Sequence, residues 1–209
     1  MIKALLLVFY PARAWDVIVQ SRRRIAYILM IQLLPLLLLT AVFEGYGLIH
    51  WGKWQVSITP RLKLFPMGEA VVFEAAQVII SLFVIFSSSA FVRSFGSTFH
   101  GRHTYFQAFG TVAYGLSPLF LCRLLDAAPA ISPWLSWGVG IILTLAVLYH
   151  GVPRMMEPDP AHAFGLFFMT ALVLSFMTAL MAFFTAFYVR GKFPECGAAF
   201  SRVAAWLHL

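Results

Sequence analysis

Charged residues are scarce in this sequence: they make up 11% of its 209 residues. A soluble domain carries about 25% charged and about 45–50% apolar residues, whereas 61% of this chain is hydrophobic. Because a domain of this size buries only about two thirds of its surface, the excess apolar surface has to face lipid. The same composition excludes a disordered chain, since disordered segments are polar.

Recognisable reaction motifs are also lacking. The sequence contains no glycine-rich phosphate loop, no GxSxG and no HExxH, which are the patterns that hold phosphate, a serine nucleophile and zinc. Ser87, Ser88 and Ser89 are adjacent, but a serine in a membrane helix usually bonds a carbonyl of its own helix. We therefore predict that the protein is not an enzyme and holds no cofactor.

The net charge of +7 is compatible with a membrane protein. Its basic residues flank apolar runs, where they bind anionic headgroups and set the orientation of the helices. A nucleic-acid interface would place basic residues among exposed aromatic ones, and the sequence has no such patch. Nucleic acid is therefore not an expected partner.

Five apolar runs reach the length of about 20 residues that a spanning helix needs. Because hydrocarbon offers no hydrogen bonds to the backbone, each run is expected to be helical. The predicted fold is all-α: one polytopic domain, residues 1–209, with five transmembrane helices and a tail from 190 to 209. The predicted spans cover roughly residues 25–43, 70–92, 105–125, 134–152 and 163–189.

Residues 1–24 are predicted to form an interfacial segment with an amphipathic helix. After Pro11, the apolar residues Trp15, Ile18 and Val19 fall on one side at helical spacing. A tryptophan on an apolar face with arginines nearby is typical of a helix that lies in the headgroup plane.

The orientation of the bundle is predicted from Arg22, Arg23 and Arg24, which directly precede the first span. Basic residues stay on the cytoplasmic side, so the N-terminus is expected there and, after five spans, the C-terminus outside. Cys122 and Cys196 then both fall on the outer side. Free thiols are the expected state, with a disulfide as the alternative.

Three local features refine this prediction. Pro35 and Pro118 lie inside the first and third spans, and each removes a helical hydrogen bond and should distort its helix. In the stretch "KWQVSITPRLKLF", apolar and polar residues alternate on both sides of Thr59-Pro60. This alternation indicates a short β-hairpin in the loop after the first span.

Polar residues within the spans indicate a possible intramembrane site, because such residues are costly in lipid. Arg123 and Asp126 lie three apart at the outer end of the third span and could pair with each other, and Glu44 ends the first span on the same side. We expect Glu74 to face the bundle, with Arg123 as its partner. The alternative is a glutamate at headgroup depth beside a local Arg–Asp pair. The predicted site consists of Glu74, Gln77, Arg123 and Asp126.

Histidines collect in the two loops on the predicted cytoplasmic side. Imidazoles and carboxylates together suit zinc, so a metalloenzyme remains an alternative, although we predict no metal. The predicted loop cluster consists of His100, His103, His150, Arg154, Asp159 and His162.

The stretch "LYHGVPRMMEPDPAH", residues 148–162, is predicted to be a structural turn. Its prolines should end the fourth helix near Gly151 and delay the fifth until about His162. Asp159 is expected to cap the fifth helix, and Arg154 to reach lipid phosphate. His150 is expected to bond the other loop through His103 or Tyr105.

Three stretches carry a resemblance to a known family: "YPARAWDVI" at 10–18, "FGSTFHGRHTYFQAFGTVAYGLSPLFL" at 95–121 and "LYHGVP" at 148–153. Together they resemble the bacterial branch of the Yip family, the Rab-interacting-protein-related five-helix membrane proteins. The resemblance implies a Yip-type bundle in a bacterial inner membrane with a cytoplasmic N-terminus. Eukaryotic relatives are linked to Rab GTPases through a long N-terminal region. This chain has about two dozen residues there, so a Rab-type GTPase is not expected.

The predicted function is that of a non-enzymatic inner-membrane protein that organises membrane lipid or partner proteins. Its expected partners are membrane lipids and other membrane proteins, including further copies of itself. The alternative is a transporter or channel for a small solute, ion or lipid, which would use Glu74 and Arg123. An open cavity reaching Glu74 would favour transport, whereas a closed bundle would favour the organiser.

Overall fold

The structure, a computed structural model, describes residues 2–21, 23–55, 61–100, 104–192 and 194–207. Five of its helices are long and apolar enough to cross a membrane. This confirms the predicted all-α, polytopic fold. The five spanning helices are α3 (Ile25–His50), α4 (Met67–Thr98), α5 (Tyr105–Ala127), α6 (Pro133–Met156) and α7 (Ala163–Val189).

Three shorter helices flank these spans. Two precede them, α1 (Ile2–Phe9) and α2 (Pro11–Ser21), and α8 (Pro194–Trp206) follows them. The two strands of the predicted hairpin are present as β1 (Lys53–Gln55) and β2 (Arg61–Lys63), which pair antiparallel. The predicted turn at Thr59-Pro60 lies outside the described residues.

The central helix of the bundle is α5. In its most apolar stretch 78% of the residues are buried inside the protein, against 33–44% in the other four spans. Its mean hydropathy of 1.4 is also the lowest of the five. A helix that contacts protein rather than lipid does not need a wholly apolar surface, so α5 can carry the polar groups described below.

Both predicted proline distortions are present. In α3 the segment Ile28–Leu33, which ends two residues before Pro35, is π-helical. In α5 the α-helix stops at Gly115 and resumes at Ser117, next to Pro118. Each distortion lies where the proline cannot donate a backbone hydrogen bond.

The two ends of the bundle are built differently. We call the end that carries β1, β2, α8 and the 128–132 loop the hairpin end. We call the other end, with α1, α2 and the 157–162 loop, the N-terminal end.

The predicted stop of the fourth helix near Gly151 is wrong. Helix α6 continues through Pro153 to Met156, and Glu157 follows with a left-handed φ of 41°. The extra turn is held by burial, because Met155 and Met156 are 6% and 0% exposed. Pro158 is the effective stop, since the residue before a proline avoids the helical region. The fifth span begins at Ala163, as predicted.

The apolar face of α2 contacts protein rather than headgroups. Helix α2 is present with the predicted amphipathic face, but Trp15 is 0% and Ile18 4% exposed, and the helix packs against α6. Sequence periodicity shows that a face is apolar and does not show what covers it. The N-terminal segment is therefore part of the bundle.

Candidate functional site

The polar residues of the spans meet at the hairpin end. Arg123 Nη2 lies 2.6 Å from Glu44 Oε2 and 3.7 Å from Glu74 Oε2. Asp126 and Lys53 are buried beside them and interact electrostatically with Glu44. We call Glu44, Lys53, Glu74, Arg123 and Asp126 the hairpin-end cluster.

Two glycines in the sequence "FEGYG" bring the helices close enough to form this cluster. The Glu74 side chain passes Gly45, where a Cβ would lie 3.3 Å from its Cγ. At Gly47 a Cβ would overlap the backbone of Ala127, at the end of α5. The two glycines therefore let α4 and the end of α5 approach α3. This approach brings Glu44 of α3 within bonding distance of Arg123 of α5.

Asp126 and Lys53 bond groups outside the predicted pairings. Asp126 Oδ1 accepts a 2.7 Å hydrogen bond from Ser136 Oγ on α6, so Asp126 does not form the local ion pair with Arg123 that was considered from sequence. Lys53 Nζ donates to the carbonyls of Ala128 and Ile131 at 2.7 and 3.0 Å. Burial lowers the pKa of Lys53, and the nearby carboxylates partly offset this effect. The hairpin thereby fixes the 128–132 loop.

Gln77 points away from Arg123 toward α7. Its Nε2 donates to Thr185 Oγ1 at 2.5 Å, and Thr185 in turn donates to the carbonyl of Met181. Its Oε1 is buried and has no hydrogen-bond partner within the described part of the chain. Gln77 thus belongs to a second feature of the hairpin end.

That feature is an apolar groove of about 160 Å³ between α4, α7 and α8. We call it the lipid-facing groove because Ile80 and Phe184 at its rim are 39% and 56% exposed on spanning helices. Its inner wall is aromatic, with Phe73 stacked on Tyr188 at 4.6 Å. The full lining is Phe73, Ala76, Gln77, Ile80, Phe184, Tyr188, Cys196 and Phe200.

A second cavity, of about 30 Å³, lies beside Arg123 and Asp126. Trp137, Thr178 and Thr185 also line it. Its size suits one or two water molecules, which is too little for a solute path.

Both cysteines are free thiols, so the disulfide alternative is wrong.

The predicted histidine cluster is only partly assembled at the N-terminal end. The rings of His100 and His162 lie 5.9 Å apart. His150 Nδ1 instead contacts the Ala146 carbonyl of its own helix at 3.1 Å, while Tyr105 donates to the carbonyl of Phe86. The expected His150–Tyr105 bond is therefore wrong.

Two further predictions concern this loop. Arg154 pairs with Asp16 of α2 at 2.9 Å, and its expected contact with a lipid phosphate stays a prediction. The Asp159 side chain lies 3.5 Å from the His162 ring and does not cap α7. His103 lies outside the described residues. Among those described, three or more His, Cys, Asp or Glu side chains nowhere gather as metal ligands.

Sequence reasoning missed the contact that joins α2 to α6. Trp15 Nε1 donates to the Val147 carbonyl at 2.9 Å, and the indole lies over Gly151. The ring also meets Tyr114 of α5 edge-on at 6.2 Å. Trp15, Tyr114 and Gly151 each come from one of the three stretches that carry the family resemblance, which was the available signal that they meet.

Two of the comparisons with known proteins gave no relative: no curated protein and no solved structure matches the chain. The model of the Yip1 domain family, however, matches residues 5–203. Five membrane helices together with this match define a polytopic membrane protein. The chain belongs to the Yip1 domain family.

Proposed function

We propose that this protein is a non-enzymatic organiser of membrane lipid, and that the lipid-facing groove holds an acyl chain. The observation that carries the proposal is the groove itself, an apolar slot between two spanning helices. An apolar cavity of about 150 Å³ in another protein binds benzene, so 160 Å³ accommodates a segment of an acyl chain.

Three features support a lipid rather than a soluble ligand. The groove is lined by apolar side chains except for Gln77 and the thiol of Cys196. Its rim lies on α4 and α7, which are surrounded by lipid tails. The unpaired Gln77 Oε1 offers one acceptor to a lipid that carries a hydroxyl or amide donor.

The transport alternative receives less support. Arg123 is held at 2.6 Å by Glu44 and is 8% exposed. A group that is bonded and covered in this way fixes helices to each other. The cavity that reaches Arg123 is about 30 Å³, which is too small for a solute larger than water.

The test of the lipid proposal is photocrosslinking with a phospholipid that carries a photoreactive acyl chain. In the variant Ala76→Trp the indole fills the groove, and we expect most of the crosslinking at groove residues to disappear. Ala75→Trp is the matched control, because Ala75 is exposed on the neighbouring face of α4. Equal crosslinking in the two variants would contradict the proposal.

We further propose a bacterial inner membrane, with the N-terminus cytoplasmic and the hairpin end outside. Support comes from Arg23 and Arg24, which directly precede α3. Cys196 is exposed on α8 and provides a native probe, with Cys122→Ala removing the second thiol. A membrane-impermeant thiol reagent should label Cys196 in intact cells; labelling only after cell lysis would reverse the orientation.

A further inference from the structure

The charges of the hairpin-end cluster do not balance. It contains the cations Lys53 and Arg123 and the carboxyls Glu44, Glu74 and Asp126, each of them at most 8% exposed. With every group ionised the cluster would carry one excess negative charge. An uncompensated buried charge is strongly destabilising, so the folded protein needs one further positive charge at this place.

Glu74 is the carboxyl of the cluster that lacks a hydrogen-bond partner in the described residues. Glu44 accepts a hydrogen bond from Arg123, and Asp126 accepts one from Ser136. Glu74 is 6% exposed, and neither of its oxygens has a hydrogen-bond partner anywhere in the described residues. Its separation of 3.7 Å from Arg123 Nη2 is longer than a hydrogen bond.

The neighbouring charged groups explain why Glu74 is left without a hydrogen bond to a cation. Glu44 from α3 and Arg123 and Asp126 from α5 act on it directly, and Lys53 of β1 acts on Asp126. On α4 and α7, Glu69 and Tyr188 are bonded to each other. On α8, the titratable group at the groove is Cys196. Arg123, the guanidinium that acts on Glu74, is already bonded to Glu44.

We infer that Glu74 binds a proton at neutral pH and thereby makes the hairpin-end cluster electrically neutral. A metal cation is the other possible source of positive charge, but it needs several converging ligands. In the described part of the chain no three His, Cys, Asp or Glu side chains converge in that way. A proton needs only one carboxylate oxygen, and it leaves Arg123 free to pair with Glu44.

Infrared spectroscopy of the purified full-length protein tests the inference directly. At neutral pH the wild type should show the carbonyl stretch of a protonated carboxyl, and Glu74→Gln should lose it. Glu195→Gln, an exposed glutamate of α8, should retain it. The inference is overturned if the wild type lacks the band, or if Asp126→Asn removes it and Glu74→Gln does not.

Thermal unfolding over a pH series gives a second measurement, in which the wild-type result alone can overturn the inference. A proton held by folded Glu74 and released on unfolding means that the folded state binds more protons, so stability falls as the pH rises above neutral. We expect the wild-type Tm to fall and the slope to be smaller in Glu74→Gln. A wild-type Tm that stays constant or rises over this range would overturn the inference, even if the variant does not fold.

Discussion

The two ends of the bundle are held by different physical means. At the hairpin end, charged side chains from α3, α4 and α5 are buried against one another. At the N-terminal end, one indole fills the space above a glycine, and the Arg154–Asp16 ion pair is half-exposed. Removing one partner of a buried ion pair leaves an uncompensated charge in the protein interior, which is strongly destabilising. A substitution in a packed surface removes or strains only some of its contacts, so the loss of stability is smaller. The two ends should therefore respond differently to substitution.

The largest effect is expected at the hairpin end. Arg123→Ala removes the cation that lies between Glu44 and Glu74 and leaves buried carboxylates without it. Removing one partner of a buried pair costs about 3–5 kcal/mol. The measurement is the thermal midpoint in detergent. The control is Arg202→Ala, because Arg202 is an exposed residue of α8. Equal midpoints for the two variants would refute a stabilising role for the cluster.

An intermediate effect is expected at the N-terminal end. In Gly151→Leu the new side chain takes the position of the Trp15 indole, so α2 should lose its bond to Val147. Overpacking of this kind costs about 1–3 kcal/mol. Gly138→Leu on the same helix is the matched control, because a Cβ there has nothing within 4 Å among the described atoms.

Limited trypsin digestion distinguishes a displaced helix from a general loss of stability. In Gly151→Leu, cleavage after Arg13 of α2 should become faster while the spanning helices stay intact. If Gly138→Leu is cleaved equally fast, the Trp15 contact does not hold the N-terminal helices.

The smallest effect is expected for the exposed pair. Arg154 and Asp16 side chains are 35% and 57% exposed, and such pairs contribute about 0–1 kcal/mol. Arg154→Ala should shift the thermal midpoint slightly, and less in high salt. The double variant Asp16→Arg, Arg154→Asp exchanges the two charges, and its thermal midpoint should return to that of the wild type. A decrease in thermal midpoint as large as that of Arg123→Ala would contradict the conclusion that the two ends of the bundle are stabilised by different means.

The spans were predictable because lipid imposes a simple rule on composition. Every run of about 20 apolar residues became a helix, and Pro118 and Pro35 marked their irregular segments. The hairpin was also readable, because alternation has a period of two. These features depend on neighbours in sequence.

Partners that are distant in sequence were harder to predict. The position of Arg123 suggested a bond to Asp126, three residues away, but Glu44 is its closest partner. That choice depends on Gly45 and Gly47, which set how closely the helices approach. The length of α6 depends in the same way on burial of Met155 and Met156, which local proline rules do not include.

The Trp15–Val147 bond has a consequence for the order of biogenesis. It joins residues 132 positions apart, so its acceptor does not exist until the fourth span has been synthesised. Through the insertion of α3, α4 and α5, the apolar face of α2 lacks α6, the spanning helix against which it packs in the folded protein. During that interval we expect this face to lie on the membrane surface, until α6 takes the place of the lipid.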